Sequence, residues 1–170
     1  MTPLPGPLGD GSLVAWRIDQ AAYAPTWASG EGAFQVGGRW NSRGVRAVYC
    51  SIDPATAILE VAVHKGFRLL DAQPHVLTRF SIKRHDTVRV VTPDEIPNPN
   101  WLTPGAPSAG QQAFGDALLR DNAFVLIPSS VSRHSWNVIF IAARAEGGYG
   151  DIRQERLAID TRLNPPPARR

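Results

Sequence analysis

Gly37-Gly38-Arg39-Trp40-Asn41-Ser42-Arg43-Gly44, Ala47-Val48-Tyr49-Cys50 and Asp53-Pro54-Ala55-Thr56-Ala57-Ile58-Leu59-Glu60 follow one another with little between them. They read as a glycine-framed loop, a strand and a helix. Glycines on both sides of Arg39 permit positive φ and close backbone approach, so amides and a guanidinium can face one anionic ligand. No G-x-G-x-x-G or G-K-[ST] pattern accompanies them, and taken alone the loop reads more readily as a structural turn. In the helix, Asp53 is the N-cap and Pro54 the first helical residue. The residues that follow to His64 are apolar almost all round, which predicts a buried helix. Thr56, Glu60 and His64 recur every fourth residue and form one stripe. Periodicity alone favours a solvated stripe over a cleft for Glu60.

Outward from this stretch, Leu13 to Ile18 predicts a first strand, with Arg17 on the face opposite Trp16 and Ile18. Residues 21–38 predict a long ordered loop, and Val45 to Ser51 a second strand. Gly66 stops the helix. Val76 to Ile82 alternates well, and a short strand follows at Thr87 to Val91. Pro93 to Pro107 is a proline-crowded loop around Trp101. A helix is expected over Ser108 to Arg120, with Ser108 as N-cap and Ala113, Phe114, Ala117 and Leu118 inward. Ala123 to Ile127 and Asn137 to Ala143 predict buried strands, and Arg156 to Asp160 a last short one. Strands predominate without regular βαβ alternation, so the class is α+β around a mixed sheet with few helices. Residues 1–12 read as a flexible arm, 13–163 as one domain and 164–170 as a disordered tail.

Composition narrows the function. The 170 residues are 43% hydrophobic, enough for one core. No apolar run approaches a bilayer span and no leader pattern opens the chain, which predicts a soluble, unexported protein with no membrane contact. The single cysteine, Cys50, excludes an internal disulfide and reads as a small buried hydrophobe. The four histidines lack metal-ligand spacing, so no metal site is expected. The charge is +3 and the pI about 9.5, yet the arginines are scattered, so no direct nucleic-acid footprint is evident.

Trp16-Arg17-Ile18, Gly38-Arg39-Trp40-Asn41 with Gly44, Val48-Tyr49, Leu59-Glu60-Val61, Gln112 with Gly115-Asp116-Ala117, Ile127-Pro128-Ser129 and Asn137 occur in an order that resembles the RES-domain family, bacterial toxins of type II toxin-antitoxin pairs. The resemblance runs from Leu13 to about Leu163. Ile141-Ala142-Ala143-Arg144 and Arg133-His134-Ser135-Trp136 depart from the family pattern at the rim. The resemblance implies a fold like that of ADP-ribosyltransferases and diphtheria-type toxins. It also implies a bacterial, cytoplasmic enzyme that consumes NAD⁺ as substrate, with no prosthetic group. The catalytic set it carries over is Arg39, Tyr49, Glu60 and Ser129. Arg17, Gln112, Gly38, Trp40 and Asn41 are the expected substrate-binding positions. The reaction it implies is depletion of NAD⁺ by cleavage of the nicotinamide–ribose bond, as a glycohydrolase or phosphorylase. Mono-ADP-ribosylation of a protein is the alternative, and a translation-blocking or nucleic-acid-binding toxin a further one. An inert module in which Arg39 and Glu60 merely pair also stays open. The implied partner is an Xre-type helix-turn-helix antitoxin that occludes the active site and provides any contact with DNA. A homodimer stays open.

Overall fold

The computed structural model describes residues 13–83, 85–105 and 107–163. The expected arm and tail lie outside the described residues. The strands are β1 (Leu13–Gln20), β2 (Val48–Ser51), β3 (His75–Ile82), β4 (Val88–Val90), β5 (Phe124–Pro128), β6 (Trp136–Phe140) and β7 (Tyr149–Arg156). They form one sheet in the order β4-β5-β6-β2-β1-β3-β7. Only the β4–β5 pair is parallel. The helices are α1 (Glu31–Val36), α2 (Pro54–Lys65), α3 (Phe67–Ala72) and α4 (Ala109–Asp121). A mixed sheet with few helices is the α+β class expected. Among the described residues no helix is long and apolar enough to cross a membrane.

The pleat sends alternate residues to opposite faces. One face carries Ala15, Cys50, Phe80, Leu126 and Val138, packed with Trp27, Phe124 and Phe140. The other is covered in two places. At the β5–β6 end, Val125, Ile127 and Ile139 pack with Trp40, Trp101 and Leu119. At the β1–β3 end, Ile18 and Leu77 pack with Ala57 and Leu70 of the α2–α3 pair. Between these two cores the centre of the face lies open.

Local sequence explains most elements. The Asp53 carboxylate accepts from the Thr56 amide at 2.7 Å, Pro54 occupies the first turn and Gly66, at φ 77°, ends α2. Ser108 caps α4, accepting from the Gln111 amide at 3.2 Å.

Several expectations are corrected. Residues 21–38 hold a 3₁₀ helix, Ala21–Thr26, and α1 rather than one long loop. Helix α2 is not buried all round: Leu59 and Val63 are 40% and 63% exposed, because only one side meets the sheet. Helix α4 packs Phe114 and Leu118 against the core as expected, but its most buried residues are Gln111, Gly115 and Leu119, and Ala113 is exposed. The reason is that the absent side chain of Gly115 lets the helix close on the Trp40 backbone. The last strand is β7 rather than Arg156 to Asp160, held by its ladder to β3 rather than by an apolar pattern. The second strand begins at Val48, three residues later than expected, because 45–47 turn through an Ala47 N–H to Val45 C=O bond.

Candidate active site

Strands β1 and β2 share a single ladder position, Trp16 opposite Ser51. The Tyr49 carbonyl beyond it accepts instead from Arg17 Nη1 at 2.8 Å. A cavity of about 500 Å³ opens at this point, lined by Arg17, Arg39, Tyr49, Glu60 and Asn137 among others. Its walls come from β1, β2, α2, residues 37–40 and the proline-rich segment around Gly105 and Pro107.

Glu60 stands over the carboxyl end of β5. Ser129 Oγ donates to its Oε1 at 2.7 Å, and Asn137 Nδ2 donates to the same oxygen at 2.5 Å. Both bonds fall on Oε1, so Oε2 carries neither. The Ser129 oxygen in turn accepts the Val131 and Ser132 amides at 3.1 and 2.9 Å. Its two lone pairs are occupied, so its hydrogen is directed at Glu60. Ser129 is fully buried and touches the carboxylate, not the cavity. The polar stripe of α2 therefore runs from buried Thr56 through Glu60 at the cavity to exposed His64, which corrects the solvated reading.

A clasp fixes the start of α2. Thr56 and Ser135 hydroxyls each donate to Asp53 Oδ2 at 2.7 Å, and Thr56 Oγ1 lies 2.8 Å from Ser135 Oγ. Burial works against the charge of Asp53, but these hydroxyl bonds and the Thr56 amide outweigh it and hold the carboxyl below its ordinary range. The atypical segment 133–136 thus tethers the glutamate helix to β6.

The Arg39 loop is braced from three sides. Gly38 N–H bonds the Asn41 carbonyl at 2.9 Å, with Gly37 at φ 76° and Gly44 at φ 95° making the turns. Tyr49 Oη donates to Asn41 Oδ1 at 2.6 Å and accepts the Trp40 amide at 3.0 Å. A Cβ on Gly38 would stand 2.6 Å from both polar atoms, so the loop closes over Tyr49 only with glycine there. Gln112 Nε2 donates to the Gly38 carbonyl at 2.9 Å, and the Asp116 carboxylate accepts the Ser42 amide at 2.9 Å. Burial pushes the Tyr49 phenol well above its usual range, so it stays neutral.

The expected residues thus divide. Arg17, Gly38, Arg39, Trp40, Tyr49 and Glu60 line one cavity, while Asn41, Gln112 and Ser129 stand behind it. Arg39 Nη1 donates to the Trp101 carbonyl at 2.6 Å and forms no ion pair among the described residues. Arg17 is more committed: Nε and Nη2 grip Asp19 at 2.8 and 2.6 Å. Cys50 is buried and its thiol pushed up to about 12 by that burial, which leaves no thiolate at neutral pH.

Sequence reasoning gave no site role to Asn137, Asp53 or Ser135. Asn137 stands in the family motif order without a role, and its local signal is a lone amide within the apolar strand β6.

A family model described as RES domain matches residues 14–163. The chain is 29% identical over 156 residues to "Toxin Res" of Pseudomonas putida, covering 89% of this chain and 99% of the relative. It is 32% identical over 139 residues to "Prs ADP-ribosylating toxin" of a Sphingobium species, covering 77% and 83%. Among solved structures, the M. tuberculosis MbcT-MbcA toxin-antitoxin complex contains a chain that superposes with a TM-score of 0.69. That match has 20% identity over 86% of this chain and 84% of the other, a likeness of fold.

Proposed function

The chain belongs to the RES-domain family, and on that premise we propose that it is a toxin that cleaves the bond between nicotinamide and ribose in NAD⁺. The observation that carries the reading is Glu60: a carboxylate held by two donors through one oxygen, its other oxygen free of both, in a cavity with two arginines.

Departure of nicotinamide leaves positive charge on the ribose C1′ and ring oxygen. A fixed carboxylate stabilises that charge, and its free oxygen suits a ribose hydroxyl. Nicotinamide is a neutral leaving group, so no acid is needed to protonate it. One carboxylate therefore suffices where ordinary glycosidases use two. Arg39 offers more unused donors than Arg17 and is the better seat for the pyrophosphate. Arg17, tied to Asp19 and Tyr49, forms a fixed wall.

The acceptor of the ADP-ribosyl group is water or phosphate in the first reading. The relative named as an ADP-ribosylating toxin supports a second, transfer to a protein side chain. NAD⁺ labelled in its adenylate half, incubated with cell extract and phosphate, separates them. Label on a protein band means transfer, whereas free ADP-ribose or its 1-phosphate means depletion. Nicotinamide is released in either case, and its absence contradicts both.

An enzyme that consumes NAD⁺ poisons its own cell, so the reading includes a neutralising antitoxin of the Xre helix-turn-helix type that occludes the cavity. The MbcT-MbcA toxin-antitoxin complex supports an antitoxin partner. Exposed Val63 on α2 and Val36 on α1 offer apolar footing near the mouth, where Val63 itself lines the cavity.

A further inference from the structure

Asn137 stands in β6 directly opposite Ser51 of β2. Ser51 Oγ donates to Asn137 Oδ1 at 2.8 Å, and Asn137 Nδ2 donates to Glu60 Oε1 at 2.5 Å. A carboxylate only accepts, so the NH₂ half of the amide must face Glu60 and the carbonyl half must face Ser51. The three groups form a directed chain of hydroxyl, amide and carboxylate. Ser51 and Asn137 are both buried, at 2% and 8% exposure, and belong to the central strands of the sheet. Glu60, by contrast, extends from a helix that meets the sheet on one side only.

We infer that Asn137 is a positioning residue for Glu60. With Ser129, it pins Oε1 to the sheet and so fixes where the remaining oxygen meets the ribose. The effect on rate rests on the NAD⁺-cleaving reading, whereas the effect on geometry rests on the hydrogen bonds alone. Ser129 by itself leaves the carboxylate free to swing about one contact. A second donor from a neighbouring strand fixes it in two directions. Removing that donor lets the carboxylate wander by an ångström or so, a displacement that costs about 10- to 100-fold in rate.

The test compares the native protein, Asn137→Ala and Asn137→Asp by crystal structure and by NAD⁺ turnover. In Asn137→Ala the Glu60 carboxylate leaves its single position or divides between several. Its kcat falls about 10- to 100-fold while KM stays within about twofold. Asn137→Asp keeps the shape and changes the pH profile. Two carboxyls that close share one proton, and the protonated one still donates to Glu60. As pH rises and that proton leaves, repulsion unseats Glu60, and the rate falls where the native rate does not.

An unmoved Glu60 in Asn137→Ala overturns the inference, whatever happens to the rate. So does a moved Glu60 with an undiminished rate in an active enzyme, or a pH profile for Asn137→Asp that matches the native one. If Glu60 moves but the native protein releases no nicotinamide, the positioning stands and the NAD⁺ reading falls.

Discussion

Arg39 and Glu60 line the same cavity without pairing with each other. Arg39 is held by the Trp101 carbonyl at 2.6 Å, and Glu60 by Ser129 and Asn137 at 2.7 and 2.5 Å. Two opposite charges at one cavity usually neutralise one another when their purpose is to hold a fold together. Here each has its own anchor, so a ligand with a cationic centre and an anionic arm can meet both. That separation disposes of the reading in which the two residues form an inert pair.

Tyr49→Phe removes the hydroxyl that bridges the Trp40 amide and the Asn41 side chain. Both partners are then left short of a bond beneath the loop, a cost of about 1–3 kcal/mol. Because this loop carries Arg39, the expected kinetic effect is a rise in KM for NAD⁺ larger than the fall in kcat. Thermal melting and steady-state kinetics of the variant check both parts. An unchanged melting temperature contradicts the bracing role of the hydroxyl.

Two glycines of α4 respond to alanine with opposite signs. A Cβ on Gly115 would lie 2.0 Å from the Trp40 carbonyl oxygen, whereas one on Gly110 meets nothing within 4 Å. Gly115→Ala therefore forces helix and loop apart and destabilises by about 1–3 kcal/mol. Gly110→Ala gains helix propensity, up to about 1 kcal/mol. Denaturant melts of the two variants give the signs directly, and equal effects contradict the packing described.

Asp53 sets an acid limb on stability. Its carboxyl titrates below its ordinary value in the folded chain, so the folded state binds that proton less readily than the unfolded state. The stability it contributes is present above the ordinary value, about pH 3.9, and is lost as pH falls through the lower folded value. Asn caps helices well but does not titrate. Asp53→Asn is thus expected to destabilise at neutral pH, with the deficit shrinking below about pH 4. A deficit independent of pH contradicts a charged clasp.

Elements specified by neighbouring residues were legible in the sequence. Asp53-Pro54 and Gly66 bracket α2, Ser108 opens α4, and the alternation of residues 76–82 marks β3. Elements specified by distant partners were not. Strand β7 is polar and exposed, with no period to read, and exists through its ladder to β3. The inward face of α4 follows from Gly115 meeting Trp40, a contact no helical wheel predicts. The candidate site divides in the same way. Glu60 stood out as a charge on an apolar helix, but its donors come from 69 and 77 positions away. Likewise Ser135 reaches Asp53 across 82 positions. Such partners lie beyond any local pattern: Asn137 stood in the motif order of the family and as an amide inside an apolar strand, but neither shows that it reaches Glu60.

The most direct measurement is NAD⁺ over time with the purified chain, free of any partner, beside Glu60→Gln. Gln keeps the size of the side chain and an oxygen for Ser129, but it removes the charge proposed to stabilise the ribose cation. The native protein is expected to consume NAD⁺ with stoichiometric release of nicotinamide. A Glu60→Gln variant that melts as the native protein does is expected to turn over about 10²- to 10³-fold more slowly. Turnover by folded Glu60→Gln at the native rate would contradict the NAD⁺-cleaving reading, as would a native protein that leaves NAD⁺ intact with phosphate and cell extract supplied.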